Sequence, residues 1–477
     1  MNKFEQSRRH FLRTASMASM AGLSVSPFLL ELNTLAAMAQ GSGASDYKAL
    51  VCVFLQGGND GHGTVIATDP DSFAAFTQAR SGAPGLAYPQ SELLPIALKT
   101  PQAGRTFALN PALTGVQSLF NAGRAAIVAN TGTLVVPATK AQVNANSVSL
   151  PASLFSHFDQ TAAWQSIASN GGSLEHVGWG GGVADVIESM NMNTNPVFTC
   201  ISTSGIALFL SGEKSFQINV TPAGPVPIGG LSQPPFALSA ANNPLASILT
   251  ASETNLFAKE YEVVITRFNE ARALLLSSML PAGAGGVPDP PQYLDPMTNK
   301  LIDNPLATSF QTVARIIGGR SGLGVSRQIF YVQLGSFDTH TNQAIQHAQL
   351  LTQLGAAFEY FDGLMTTAGL GNQVTSFTAS DFGRTLTSNS SGTDHGWGSH
   401  HFVVGGAVQG QDMYGQYPVV GVNQANDLGA GRLVPTTAVD QYAGTLARWF
   451  GLSDSQVREV FPNFANFGSS PYLGFMG

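Results

Sequence analysis

The chain has 477 residues, 44% hydrophobic and only 11% charged, which is enough for a large buried core beneath a neutral, polar surface. A formal net charge of -7 excludes a nucleic-acid binder, because no basic patch is available to neutralise phosphates. Beyond the N-terminal segment no apolar run reaches the roughly 20 residues a bilayer span requires, so the mature chain is expected to have no stable membrane span.

The N-terminus reads as a leader. Ser7-Arg8-Arg9-His10-Phe11-Leu12-Arg13 sets an Arg pair before a hydrophobic pair, a mildly apolar run follows from Ala15 to Leu30, and Ala37-Met38-Ala39 offers a small-x-small cleavage site. This order predicts a twin-arginine signal peptide over 1–39, export by the twin-arginine translocase, and a periplasmic or extracellular mature protein. Residues 40–477 are expected to form one α/β domain.

In chain order, Ala49 to Leu55 is apolar on both faces and reads as a central parallel strand, ending at Gly57-Gly58-Asn59-Asp60-Gly61. Asn110 to Phe120 is expected as a helix, Ala125 to Ala129 as a strand, Ser156 to Ser169 as a helix, and Val197 to Leu210 as strand-turn-strand. Pro/Gly-rich stretches near 222–244 and 281–293 read as insertions, with a long helical stretch, Leu245 to Leu280, between them. Phe310 to Ile317 and Gln343 to Thr366 read as helices. Strands follow at Gln328–Leu334, Gln373–Ala379 and His401–Gly406, and a closing helix from Thr437 to Phe450 is capped by Gly451. Strands alternating with helices predict a mostly parallel central sheet with helices on both faces. The two cysteines, Cys52 and Cys200, are free to pair in an oxidising compartment.

Asp60, Asp338 and Asp381 each fall within a few residues of a strand's carboxyl end, where open α/β sheets place their ligands. Three carboxylates gathered there repel one another unless a cation lies between them. A divalent ion such as zinc, manganese or calcium is therefore expected, with His340 and His395 adding imidazoles to the same loops. His157 and His400 are further candidates to line the crevice, whereas His347, on a helix, reads as a surface residue. Trp164 and Trp397 read as packing residues. Ser156 opens a helix, where free N–H groups favour an anion; it reads as a nucleophile, as an N-cap paired with Asp159, or as both. Arg384 is placed to clamp an anionic oxygen.

Phe54-Leu55-Gln56-Gly57-Gly58-Asn59-Asp60-Gly61, Ser156-His157-Phe158-Asp159, Gly335 to His340, Ser380 to Thr385, Gly392 to Gly398 and Pro435 to Tyr442 resemble, in order, the landmarks of the domain of unknown function 1501 family. The resemblance implies an exported protein with an alkaline-phosphatase-like fold, related to phosphatases and sulfatases. It further implies metal ligands among Asp60, Asp338, His340, Asp381 and His395, with Ser156 at the nucleophile position. Asp381 resembles the Asp of that superfamily's Asp-His-Gly motif, although Asp394-His395-Gly396 is an alternative match. Phe382 departs from the pattern, standing where a second His ligand is usual. The activity implied is a metal-dependent hydrolase of small anionic phosphate or sulfate esters. The alternative is a non-catalytic exported protein that keeps the fold for binding or envelope assembly.

Replacing Arg8 and Arg9 together with Lys is expected to leave the protein in the cytoplasm with its leader attached. Fractionation and the N-terminal sequence of the product check this; normal export and cleavage would contradict it.

Overall fold

Three of the strands read from apolar runs lie side by side at the centre of the molecule. The computed structural model describes residues 46–166, 177–229, 243–249 and 255–477. The leader, the expected helix end at Ser169 and much of the 222–244 insertion fall outside them. The central sheet and a hairpin beside it comprise β1 (Lys48–Leu55), β2 (Ala125–Gly132), β3 (Cys200–Ser202), β4 (Gln217–Thr221), β5 (Gly224–Pro225), β6 (Arg327–Leu334), β7 (Val374–Ser380), β8 (Arg384–Ser388), β9 (Thr393–His395), β10 (Ser399–Val404), β11 (Met413–Tyr414) and β12 (Thr437–Ala438). The principal helices are α1 (Pro70–Arg80), α2 (Thr114–Asn121), α3 (His157–Gln165), α4 (Trp179–Ser189), α5 (Leu256–Ser278), α6 (Pro305–Gly318), α7 (Gln343–Thr367) and α8 (Val439–Phe450).

The sheet has ten strands in the order β11-β2-β10-β7-β1-β6-β3-β4-β5, with β12 also paired to β2. β1 runs parallel to β6 and β7, β6 to β3, and β3 to β4. β10, the strand read near His401, runs antiparallel to β7 and β2, so the sheet is mixed though mostly parallel. Successive β1 side chains alternate between two cores, as the pleat requires. Ala49, Val51, Val53 and Leu55 pack with Phe310, Leu354, Phe358 and Phe361 of α6 and α7. Leu50, Cys52 and Phe54 face Val183 and Ile187 of α4 and Tyr442 and Leu446 of α8. Helices cover both faces, which is why the central strands are apolar on both.

Some local expectations differ from the structure. Val197 to Leu210 holds one short strand, β3, between two single 3₁₀ turns, because Pro196 and the Ser-Gly pair at 204–205 interrupt pairing. The helix read from Asn110 starts at Thr114; Asn110 forms a turn in which its Oδ1 accepts from the Ala112 N–H at 3.0 Å. Cys52 and Cys200 are both free and buried. Cys52 faces Tyr331 across β6 and Cys200 faces Ile329, so the two lie two strands and two rungs apart. Two strand spacings come to about 9.6 Å, beyond the roughly 7 Å a disulfide can bridge. Among the described residues no helix is long and apolar enough to cross a membrane.

The register fixes where function can sit. Leu55 lies opposite Leu334 on one side and Ser380 on the other. The loops carrying Asp60, Asp338 and Asp381 therefore leave the sheet at one place, and the antiparallel β10 delivers Ser399 and His400 to the same edge.

Phe377, fully buried on β7, packs against the rings of Trp179, Phe209 and Tyr442. Phe377→Ala is expected to cost about 3–5 kcal/mol. In urea unfolding the midpoint should fall with the slope unchanged.

Candidate metal centre

Gly57 and Gly58 adopt φ of +114° and +87° after β1. A Cβ on Gly57 would lie 2.3 Å from the Asp338 backbone N, and one on Gly58 would lie 2.5 Å from the Phe382 ring. Only glycine lets this loop pass between the loops that follow β6 and β7. The two amides so placed donate to Asp381 Oδ1 at 2.8 and 3.1 Å. The other Asp381 oxygen, Oδ2, faces His157 Nδ1 at 2.7 Å. A carboxylate only accepts, so Nδ1 carries hydrogen and Nε2 is the atom presented to the crevice.

Two more histidines are held the same way. His395 Nδ1 donates to the Phe155 carbonyl at 2.8 Å, and His340 Nδ1 lies 3.3 Å from Asp394 Oδ1. Their Nε2 atoms are 3.0 Å apart. Each also reaches Asp338 Oδ1, at 3.0 Å from His340 and 3.2 Å from His395. The buried Nε2 atom of His157 sits 3.4 Å from Asp338 Oδ2 and has no hydrogen-bond partner among the described residues. Three imidazole Nε2 atoms thus converge on one carboxylate. Ligand atoms of His157, Asp338 and His395 lie within 4.8 Å of one another. Two ring nitrogens 3.0 Å apart with their Nδ1 atoms already protonated repel through their lone pairs unless a proton or cation lies between them. Imidazoles tied through Nδ1 to carboxylate or carbonyl, with Nε2 free, are the arrangement that orients metal-binding histidines.

Asp338 is half-exposed, and Arg384 Nη1 donates to its Oδ1 at 2.7 Å. Burial pushes this carboxyl up, but the hydrogen bond and charge of Arg384, with His340 and His157 beside it, outweigh burial and hold it below the usual carboxylate value. The Asp381 hydrogen bond raises the His157 imidazole above its ordinary value against the opposing effect of burial. Burial lowers the His395 imidazole despite its bond to the Phe155 carbonyl. Phe382 is buried against both rings, its centroid 4.7 Å from that of His157 and 4.6 Å from that of His395, while the centroids of the two imidazoles lie 4.4 Å apart.

Not every expected ligand arrives. Asp338, His340 and His395 lie together, joined by His157. Asp381 stands one bond behind, oriented by the glycine loop and orienting His157. Asp60 lies elsewhere: Arg80 grips both its oxygens, at 2.7 and 2.8 Å, Gln343 Nε2 donates to it at 2.6 Å, and it N-caps the single turn Gly61–Thr64. Its carboxylate is saturated, and Arg80 outweighs burial to hold it well below the usual value. Nothing in the sequence signals Arg80 as its counter-charge. Arg384 is not a free clamp either. Its side chain is fully buried, with Nη1 on the Gly57 carbonyl and Asp338, Nε on Thr393 Oγ1 and Nη2 on the Thr393 carbonyl. Ser156 caps α3 through a long 3.4 Å bond from the Asp159 amide, beside His157. His347, expected at the surface, is buried, with Nε2 3.0 Å from Asn59 Oδ1.

The model of a family described as "Protein of unknown function (DUF1501)" matches residues 289–461, which include the Asp338, Asp381 and His395 loops. This supports the family resemblance read from the sequence. No curated protein matches the chain. Among solved structures, "Crystal structure of Ps i-CgsB" is 9% identical, aligning 86% of this chain with 74% of that one at a TM-score of 0.34. A Bacteroides thetaiotaomicron structure concerned with metabolism of multiple glycosaminoglycans (BT33494S-sulf) is 10% identical, over 87% of this chain and 74% of its own, at a TM-score of 0.33. At these scores the likeness assigns no residue and no activity.

Behind the centre lies a set of buried, neutral histidines. Burial lowers His62 and His347 to about 4 and His401 to about 3, and takes His400 well below its ordinary value. Once unfolded, each regains a pKa of about 6.5. Their contribution to stability is therefore complete above pH 6.5 and is lost as pH falls toward 4. The raised His157 acts in the opposite sense, losing its contribution as pH rises through its folded value. In chelator, the melting temperature should drop steadily from pH 6.5 to 4.5, these four depressed histidines, together with the lowered His395, outweighing the one raised. A flat profile over that range would contradict their burial as neutral rings.

Proposed function

We propose that the protein is an exported metal-dependent hydrolase acting on small phosphate or sulfate esters, built as one domain over 40–477. The observation that carries this reading is the convergence of three tethered Nε2 atoms on Asp338 at a half-open sheet edge. His157, His340, His395 and Asp338 would hold a divalent ion, with zinc best suited to the imidazole-rich donor set. When bound, such an ion would act as a Lewis acid toward an ester oxygen or acidify a water.

The chain's own residues supply the rest. Asp381 fixes the His157 ring and keeps its hydrogen on Nδ1. Arg384 holds Asp338 ionised and in place. Phe382 sets an apolar ring against His157 and His395, a position at which a further imidazole would add a ligand, which favours a single ion. Ser156 caps a helix whose free N–H groups favour negative charge. Ser156 Oγ only accepts a weak bond from the Asp159 amide, so the oxygen could attack phosphorus or sulfur with its hydrogen passing to the ester oxygen as that oxygen leaves. The expected twin-arginine leader is consistent with a protein folded around its ion before export.

Purified from the periplasm, the protein should carry a single divalent ion per chain by elemental analysis and lose melting temperature in chelator. Ser156→Ala should abolish release from aryl phosphates and aryl sulfates while keeping the metal, and lose only about 1 kcal/mol of stability as a lost N-cap. Wild-type turnover in a stable, metal-loaded Ser156→Ala protein would rule out the nucleophile. A metal-loaded wild type inactive on every ester would favour the binding or envelope-assembly role.

A further inference from the structure

A line of buried polar side chains joins the two strand-end loops that the metal centre does and does not use. Arg80 grips Asp60 bidentately. Gln343, the first residue of α7, donates from Nε2 to Asp60 Oδ2 at 2.6 Å and accepts at Oε1 from Thr393 Oγ1, also at 2.6 Å. Thr393 Oγ1 in turn accepts from Arg384 Nε at 3.2 Å, and Arg384 Nη1 donates to Asp338 Oδ1 at 2.7 Å. Arg80, Asp60, Gln343, Thr393 and Arg384 are each at most 1% exposed.

The direction of the line is fixed. Asp60 accepts only, so the Gln343 amide must turn its NH₂ toward it and its oxygen toward Thr393. The Thr393 hydroxyl hydrogen is then committed to Gln343, and its lone pair faces the guanidinium. Reversing any link sets donor against donor or acceptor against acceptor in a dry site. Nε, Nη2 and one Nη1 hydrogen of Arg384 are held by Thr393 and Gly57, and its other Nη1 hydrogen sets where Asp338 Oδ1 lies relative to His340 and His395.

We infer that Gln343 and Thr393 are positioning residues for the metal centre: through them the buried Arg80–Asp60 pair holds the Arg384 fork, and with it the Asp338 carboxylate, in ligand geometry. The inference rests on the metal-centre reading and gives Asp60 a different task from ligation. It also accounts for why a strand-end aspartate is sealed in an ion pair.

The test uses the full mature protein. Thr393→Val removes the hydroxyl at nearly constant size, Thr393→Ser keeps it, and Gln343→Met removes both amide bonds. Zinc affinity is measured by competition with a chromogenic chelator, and geometry by the visible bands of the cobalt-substituted protein. Thr393→Val and Gln343→Met should weaken zinc binding roughly 10-fold or more and alter the cobalt bands, while Thr393→Ser stays near wild type. Stable Val and Met variants with wild-type affinity and bands would overturn the inference.

A second measurement needs no metal. In chelator, the drop in melting temperature from Gln343→Met should be smaller in an Asp338→Asn background than in the wild type, because the two sites are coupled. Additive drops overturn the relay itself, whereas a wild type that binds no zinc overturns the metal-centre reading.

Discussion

The carboxylate of Asp338 organises the carboxyl edge of the sheet. It receives a buried guanidinium on one side and faces three imidazole nitrogens on the other. A half-exposed anion with one buried cation holding it ionised is a stable arrangement. Adding three histidines whose Nδ1 atoms are already committed is not, unless a proton or cation lies among them. The charge balance of the whole edge therefore turns on what sits beside Asp338. Arg384 holds that group directly, and Asp381, fixed by the glycine loop, orients one of the imidazoles that face it.

The fold makes this affordable through register. β1, β6 and β7 end level, so three loops crowd together and must interlock. Gly57 and Gly58 pass where any side chain would collide with Asp338 or Phe382. Their amides become the donors that fix Asp381. Phe382 packs against the rings of His157 and His395, whose centroids lie 4.4 Å from each other. His157 joins this cluster from the start of α3.

Much of this was legible in the sequence. Apolar runs bounded by Gly and Asp mark β1, β6 and β7, because a strand covered on both faces must be apolar on both. The placement of Asp338, His340 and His395 follows from the same boundaries. What could not be read is which aspartate finds which partner. Asp60 looks like Asp338 in sequence, yet Arg80, at the far end of a helix, grips both its oxygens. His157 entered only as a crevice candidate, because its role depends on α3 being laid across the ends of strands far away in the chain. The direction of the antiparallel β10 is not legible in its apolar run, since direction is decided by the connection and not by the run itself. His347 was misread as exposed because α7 is buried along more of its girth than the apolar spacing indicates.

Anomalous diffraction at the zinc edge, from crystals of the mature protein grown with zinc, tests the central claim most directly. The account predicts a single strong peak bounded by the Nε2 atoms of His157, His340 and His395 and the carboxylate of Asp338, with none at Asp60. A peak between Asp60 and Asp381, or no peak at the histidines, would contradict it.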